Sequence, residues 1–335
     1  WKESAGPWET VAENLNIDGA GNTVIVLGGS NAEQAIITPS DPNLDISLIL
    51  TFTDQASNST APINVNTFTV DRAPPRIANP DGFSVSGATS ATPITNLGYF
   101  RGNDGVAENV IVLINTDEDI RDNTFLITDF PAENISGATG SSLAKVSAIQ
   151  YRLFLINLIE GVISITVPTG NIFEDLATNS GPPAEQIESE RQFSFTYDIT
   201  PPVLNPITVS GNTTPLTPYT ENEHYNGNGA GEAVDVIVNF DWDDINFDGS
   251  SFENADITIE LAGNGILPNP VDSWDLTGPD ADFNYSLTIQ QESFIEDGLL
   301  VIAVSGLAGV DNASNEGPDD PTSFQFYFDV NEPAP

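Results

Sequence analysis

The chain has 335 residues, and its 49 acidic residues against 8 lysines and arginines give a formal net charge of −41. So few cations exclude a basic surface that would bind nucleic acid or an anionic membrane. Apolar residues make up 39% of the chain, so it can fold around apolar cores despite its charge. No uncharged apolar run reaches the roughly 18 residues of a transmembrane helix, which predicts no membrane insertion.

Several kinds of chemistry are excluded because the required residues are missing. The chain has no cysteine, so disulfides, thiolate nucleophiles and cysteine-type zinc sites are impossible. The single histidine, His224, has no second ligand nearby and is predicted to be a surface residue. The acidic excess either keeps the protein soluble in salty water or supplies oxygen ligands for calcium. Both explanations predict an extracellular protein.

Short alternating or β-branched segments, bounded by Gly, Pro, Asn and Asp, predict β-strands along the whole chain. No helical pattern with caps is present, so the fold class is all-β: tandem Ig-like antiparallel β-sandwiches without substantial helix. Besides the strands that end each unit, the predicted strands are, in chain order, Thr23–Leu27, Gln34–Thr38, Ile46–Phe52, Val110–Ile114, Ile149–Ile156, Val162–Val167, Val234–Phe240, Ala255–Leu261, Asn284–Ile289 and Leu299–Val304.

Three segments that end alike divide the chain into repeats. Each is an alternating strand closed by an aspartate and then by prolines, which cannot continue a β-ladder. These segments are Phe68–Pro75, Phe193–Pro202 and Phe324–Pro335. An Asp-x-Ala-x-Asn sequence precedes each of them, at Asp54–Asn58, Asp175–Asn179 and Asp311–Asn315. The spacing predicts Ig-like sandwiches over residues 72–198 and 199–335, and a partial or divergent Ig-like domain over residues 1–71.

The Asp-x-Ala-x-Asn turn, the final aromatic strand and the Asp-x-x-Pro-Pro joint resemble the bacterial Ig-like tandem repeats of giant cell-surface adhesins and extracellular fibres. The resemblance covers residues 72–329 as two repeats and residues 20–71 as the back half of another. It implies rigid sandwiches in series, with calcium ions that stiffen their junctions. The repeats here are longer than is usual in that family, which predicts inserted loops or extra strands.

The first 71 residues contain the back strands of a repeat without a clear front half. Half a sandwich would leave apolar faces and strand edges open to water. Two interpretations follow. Either residues 8–28 supply the missing strands of a compact domain, or a neighbouring copy of the chain completes it by strand addition. Copies stacked head-to-tail would continue the periodicity of the repeats.

Two sets of acidic residues are candidate calcium ligands. The first set lies in loops that follow equivalent strands: Asp117, Asp119, Asp241, Asp243 and Asp244. Oxygen ligands at alternate loop positions can converge on calcium, although a solvated acidic loop has the same composition. The second set recurs at the joints, as Asp54, Asn58 and Asp71, as Asp175, Asn179 and Asp198, and as Asp311, Asn315 and Asp329. There the alternative to an ion is that these side chains cap turns.

Other functional classes have weaker support. Glycoside hydrolysis needs one dedicated carboxylate pair, and a repeated unit is a poor place for it, so we predict no enzyme. The four tryptophans are Trp1, Trp8, Trp242 and Trp274. Trp242 and Trp274 lie in polar surroundings, and exposed tryptophans stack on sugars, although such residues more often cover the edge of a core or a subunit contact. They support the alternative of a module that binds cell-surface glycans or another surface, attached to an adhesin or secreted enzyme. Asn-x-Ser/Thr glycosylation candidates occur at Asn58, Asn134, Asn212, Asn284 and Asn312.

The sequence as a whole predicts an extracellular structural protein, a segment of a cell-surface filament or adhesin stalk. Proline joints between its domains would limit bending, because proline fixes its own φ and restricts the residue before it. Calcium would stiffen the joints, and the predicted partners are copies of the chain itself.

Overall fold

The computed structural model of the chain describes residues 2–3, 43–50, 59–61, 63–225, 234–262, 265–266, 274–291 and 297–329. Strands dominate these residues, and their α-helix is one turn, Glu188–Arg191. Three short 3-10 helices cover Ile127–Asp129, Ala132–Asn134 and Asn254–Asp256. Among the described residues, none belongs to a helix long and apolar enough to cross a membrane.

The first described unit is a three-stranded antiparallel sheet. It contains β1 (Lys2–Glu3), β2 (Asn43–Leu50) and β3 (Ile63–Asp71), in that order. The predicted strands Thr23–Leu27 and Gln34–Thr38 lie outside the described residues. Both interpretations of residues 1–71 therefore stay predictions.

The next unit, which we call the first sandwich, is built from two main sheets. Its strands are β4 (Phe83–Gly87), β5 (Pro93–Ile94), β6 (Tyr99–Phe100), β7 (Val110–Asn115), β8 (Ile135–Ser136), β9 (Ala138–Ser147), β10 (Gln150–Leu158), β11 (Gly161–Thr166), β12 (Phe173–Glu174), β13 (Ser180–Gly181) and β14 (Gln192–Tyr197). One sheet has the order β5-β4-β7-β10-β9 and the other β6-β14-β11-β8, while β12 and β13 form a separate hairpin. Their strand pairs are antiparallel except β6 with β14.

Apolar side chains at alternate positions of the strands fill the space between these sheets. In β7, Val110, Val112 and Ile114 are buried while the residues between them are half-exposed, as a strand covered on one face requires. The opposite sheet contributes Phe193 and Phe195 of β14 and the inward residues of β11. These residues form one core within the span of residues 77–197.

The second sandwich repeats this plan. Its strands are β15 (Val203–Leu204), β16 (Thr208–Gly211), β17 (Thr217–Pro218), β18 (His224–Tyr225), β19 (Val236–Asp243), β20 (Ile257–Ala262), β21 (Gly265–Ile266), β22 (Trp274–Thr277), β23 (Asn284–Ile289), β24 (Gly298–Val304), β25 (Gly309–Val310), β26 (Glu316–Gly317) and β27 (Thr322–Phe328). The sheets have the orders β17-β16-β19-β23-β22, with β15 also paired to β19, and β18-β27-β24-β20-β21. A second core lies within residues 204–328.

The two sandwiches match in register as well as in strand order. Val112 of β7 pairs with Val85, and Val238 of β19 pairs with Val209. The all-β sandwich fold predicted from the sequence is confirmed. The predicted strands that fall in the described residues are present, with ends that differ by up to five residues.

Candidate metal centre

Within the part of the chain that the structure describes, acidic side chains from distant segments converge at two places. The first acid group is Asp71, Glu118 and Asp175, and the second acid group is Asp198, Asp244 and Asp311. Within each group the three carboxylates offer oxygens that all lie within 4.8 Å of one another. Each group forms where one unit passes into the next, so both lie at the predicted joints.

In the first acid group, each carboxylate comes from a different element. Asp71 ends β3, and its side chain accepts a hydrogen bond from the backbone N–H of Ala73 at 3.0 Å. Asp175 is buried, and its two oxygens accept hydrogen bonds from the backbone and the side-chain amide of Asn179 at 2.8 and 2.7 Å. Glu118 lies in the loop after β7. The amide of Asn179 also donates to the backbone carbonyl of Asp71 at 3.3 Å, which ties this turn to the preceding strand.

The second acid group has the same construction. Asp311 is buried and accepts hydrogen bonds from the backbone and the amide of Asn315 at 2.8 and 2.7 Å. The amide of Asn315 also donates to the backbone carbonyl of Asp198, which follows β14, at 3.0 Å. The side chain of Asn246 donates to Asp198, and its backbone N–H donates to Asp244. The other oxygen of Asp244 is buried without a hydrogen-bond partner.

A glycine and a proline meet beside each acid group. A methyl group on Gly181 would overlap the carbonyl oxygen of Pro75, and one on Gly317 would overlap that of Pro202. Both glycines lie six residues after the first aspartate of the turn, and both prolines lie four residues after the aspartate that ends the strand. The close approach of backbone to backbone is possible because glycine has no side chain. The two joints therefore share their packing as well as their hydrogen bonds.

The electrostatics of the groups reflect crowded negative charge. Burial, and then the charges of Asp71, Asp175 and Asp117, raise the pKa of Glu118 to about 7. In the second group, burial raises the pKa of Asp244 to about 6, assisted by neighbouring carboxylates and opposed by the hydrogen bond from Asn246. These shifts indicate that an ionised carboxylate is unfavourable at these two positions, first because it is buried and then because other carboxylates are close, unless positive charge is added.

The donor set fits a hard cation such as calcium. All the donors are oxygens, and neither nitrogen nor sulfur ligands are present, which favours a hard cation over zinc. Calcium binds oxygens at about 2.3–2.6 Å, so ligands on opposite sides of one ion lie about 5 Å apart or less. The 4.8 Å limit within each group meets that condition. No described lysine or arginine forms a salt bridge with the second acid group.

The raised pKa values predict that, without calcium, the folded chain loses stability as pH rises. The pKa of Glu118 rises from 4.5 to about 7 and that of Asp244 from 3.8 to about 6. Between these limits the folded chain binds more protons than the unfolded chain. The contribution of Glu118 and Asp244 to the free energy of unfolding is therefore complete below about pH 4 and lost by about pH 7. Thermal melts in EGTA should show a flatter dependence of Tm on pH for Glu118→Gln than for the wild type. Parallel curves of Tm against pH for Glu118→Gln and the wild type would contradict this prediction. The matched control is Glu133→Gln, at an exposed residue.

The structure joins the predicted ligands in a different combination from the one the repeats suggested. The sequence grouped Asp175 and Asn179 with Asp198, and Asp311 and Asn315 with Asp329. The structure instead joins each turn to the aspartate that ends the preceding unit, Asp71 or Asp198. The reason is topological: the last strand of a sandwich leads its closing aspartate away into the next unit.

The remaining predicted ligands lie elsewhere. Asp54 and Asn58 are outside the described residues. The exposed residues Asp117, Asp119, Asp241, Asp243 and Asp329 belong to neither acid group. Asp117 accepts a hydrogen bond from the backbone N–H of Arg76, and Asp241 accepts one from Asn205. Asp117 and Asp243 still act at a distance, since their charges raise the pKa of Glu118 and Asp244.

Sequence reasoning missed Glu118 as a member of the first acid group, although the position was recognisable. Val112 of β7 and Val238 of β19 are equivalent, and Glu118 and Asp244 each lie six residues after them. The Gly-Pro pair after each turn, at Gly181 and Gly317, was also missed. It is visible in the printed sequence as an extension of the turn motif to Asp-x-Ala-x-Asn-x-Gly-Pro.

Of the two interpretations of Trp242 and Trp274, the structure supports the one in which they cover a core. Trp242 and Trp274 are both buried, because each occupies an inward position of its strand. Trp242 stacks on Phe247 with ring centroids 4.8 Å apart. These two residues form part of the core of the second sandwich, so the sugar-stacking platform inferred from them has no basis.

The described glycosylation candidates differ in how their side chains are engaged. The amides of Asn284 and Asn312 donate hydrogen bonds, to Asp280 and to the backbone of Asn246. Asn212 is exposed and Asn134 half-buried. Asn58 lies outside the described residues.

Fold and joints together define a class: all-β chains of successive Ig-like sandwiches. No family model and no curated protein matches this chain. Among solved structures, the chain is similar to the titin domains Z1Z2 in complex with telethonin, at 8% identity and a TM-score of 0.23, covering 74% of this chain and 96% of that one.

Proposed function

We propose that this protein is an extracellular, non-enzymatic structural protein, a segment of a cell-surface filament or adhesin stalk. Its task is to span distance with sandwiches placed in series. The observation that carries the proposal is the repeated joint, in which an aspartate that ends one unit meets the Asp-x-Ala-x-Asn turn of the next. A protein that served a single ligand would have no need of the same junction twice.

Calcium would hold each joint in one arrangement. The acid groups combine a carboxylate of one unit with two carboxylates of the next, so an ion bound there contacts both sides of the junction. An ion that binds the closed joint and not the open one stabilises the closed form in proportion to RT ln(1 + [Ca²⁺]/Kd). Extracellular modules bind calcium with Kd values of roughly 10⁻⁴–10⁻³ M, which suits an environment where calcium is always present.

The composition supports an extracellular location. A net charge of −41 keeps serial domains from sticking to one another nonspecifically, and it favours uptake of divalent cations. The absence of cysteine leaves the chain without disulfides, so ions and prolines are the available means of stiffening its junctions. Pro74 and Pro75 precede the first sandwich, and Pro201 and Pro202 precede the second.

The proposal is tested on native material by immunogold electron microscopy with antibodies against the two sandwiches. Gold along extracellular filaments or stalks, at regular intervals, is the expected result. Label confined to the cell interior, or distributed over the medium as single particles, would contradict the structural role.

A further inference from the structure

The centre of the outer face of the sheet β5-β4-β7-β10-β9 is apolar, although it points away from the core. Alternation in β7 turns Ile111 and Leu113 outward, and in β10 it turns Phe154 and Ile156 outward. The pairing of β7 with β10 sets Phe154 directly beside Ile111. We call these four residues the outer patch. Each is only partly buried, and none packs against the core of the first sandwich.

The second sandwich provides an internal comparison, because its strands keep the same register. At the positions equivalent to three members of the outer patch it carries polar residues. The equivalent pairs are Leu113 and Asn239, Phe154 and Thr288, and Ile156 and Gln290. The fold therefore does not require apolar side chains on this face, and their presence in the first sandwich needs another cause.

Charge separates the two faces in the same way. The outward positions of the five strands of the first sheet carry no acidic residue, and they carry the cation Arg152. At the positions equivalent to Asn115 and Ser142 of the first sheet, the second sandwich carries Asp241 and Asp275. Arg152 is exposed and forms no salt bridge with a described residue. In a chain with 49 acidic residues, this sheet is a place where two copies can meet without bringing carboxylates together.

We propose that the outer patch is a lateral docking surface for a second copy of this chain. Two copies would pack their five-stranded sheets face to face about a two-fold axis, in the way that sheets pack in a sandwich. The side chains flanking the patch are small, with Ser142 and Ala144 on β9 and Ser84 and Ser86 on β4, so the facing sheets can approach closely. The contact joins molecules side by side, and it does not depend on the proposed calcium joints.

The size of the face sets the expected strength. Five strands about 4.8 Å apart and about six residues long give a face of roughly 20 Å by 20 Å. That is about half of the ~800 Å² per partner of a standard interface, which places the pair among weak, transient contacts. Chains held in parallel in a filament would form many such contacts at once, and avidity would make their association stable.

Sedimentation equilibrium of the full chain over a wide concentration range tests the proposal. The wild type should show a monomer–dimer equilibrium that strengthens with added salt, since salt screens the repulsion between two copies of a −41 protein. The variant Leu113→Asn/Phe154→Thr/Ile156→Gln copies the residues of the second sandwich and should weaken dimerisation about tenfold or more. Arg152→Glu, which places an acid on the face, should weaken it as well.

Val162→Thr is the matched control, since Val162 is an exposed apolar residue on the other sheet of the same sandwich. It should dimerise as the wild type does, and all measurements should give the same result in EGTA and in calcium. Melting curves show that each variant is folded. A wild type that stays monomeric at millimolar concentration and high salt would overturn the proposal and leave the patch to another kind of partner. Equal dimerisation of the wild type and the triple variant would overturn it too.

Discussion

Replacing Asp311 by alanine should destabilise the second sandwich by about 2–4 kcal/mol in calcium and remove one calcium ion from the binding stoichiometry. Asp311 is 2% exposed, and both of its oxygens accept hydrogen bonds from Asn315. Without Asp311, the side-chain amide of Asn315 loses its orientation, and this amide also donates to the backbone carbonyl of Asp198. In EGTA the loss should be smaller, because burial, and then the charge of Asp198, raise the pKa of Asp311, so its removal relieves an unfavourable buried charge.

Differential scanning calorimetry gives the stability of Asp311→Ala in calcium and in EGTA, and isothermal titration calorimetry gives the stoichiometry. The exposed residue Asp320 supplies the control, since Asp320→Ala removes the same charge at a distance from the acid group. If Asp311→Ala kept the whole calcium-dependent rise in Tm, the second acid group would not be a calcium site. The hydrogen bonds to Asn315 would then serve only to cap the turn.

Replacing Gly317 by alanine should open the second joint while leaving both cores folded. The added methyl group would overlap the carbonyl group of Pro202, so the turn and the linker must separate. Overpacking of this kind costs about 1–3 kcal/mol, and here the linker can relieve it by moving away. Hydrogen exchange measured by mass spectrometry should become faster in residues 198–206, whereas exchange in β19 and β24 should not change.

Gly140 provides the comparison for Gly317. It lies on β9, and a methyl group there would make ordinary contact with Ile156 at 3.6 Å. Gly140→Ala should therefore leave exchange in residues 198–206 as it is in the wild type. Unchanged exchange in Gly317→Ala would show that the close approach of Gly317 to Pro202 does not hold the joint.

Most of the fold was predictable because strand alternation is a local property. The buried residues Val236, Val238 and Phe240 alternate with partly exposed ones, and that pattern is legible without knowing any partner strand. The burial of Trp242 was harder to predict for the same local reason. Its neighbours Asp241 and Asp243 suggest a polar loop, yet the strand continues through them and the alternation places Trp242 inward.

The composition of the acid groups was harder to predict, because it depends on which unit meets which. Asp175 and Asp198 stand close in sequence and in the same repeat, but Asp198 reaches the turn that contains Asp311. Repetition shows which residue types recur and leaves open how they pair across a boundary. Glu118 and Gly181 escaped attention because a side chain at a joint is defined by its contacts with the neighbouring unit.

The distance between the two sandwiches, with and without calcium, tests the central claim most directly. The chain has no cysteine, so Val162→Cys with Thr258→Cys gives two unique spin-label positions, one exposed residue on each sandwich. Pulsed electron–electron double resonance should give a narrow distance distribution in calcium that broadens in EGTA. The pair Thr208→Cys with Thr258→Cys, within the second sandwich, should give the same distribution in both conditions. An inter-sandwich distribution that is equally broad in calcium and in EGTA would contradict joints locked by calcium.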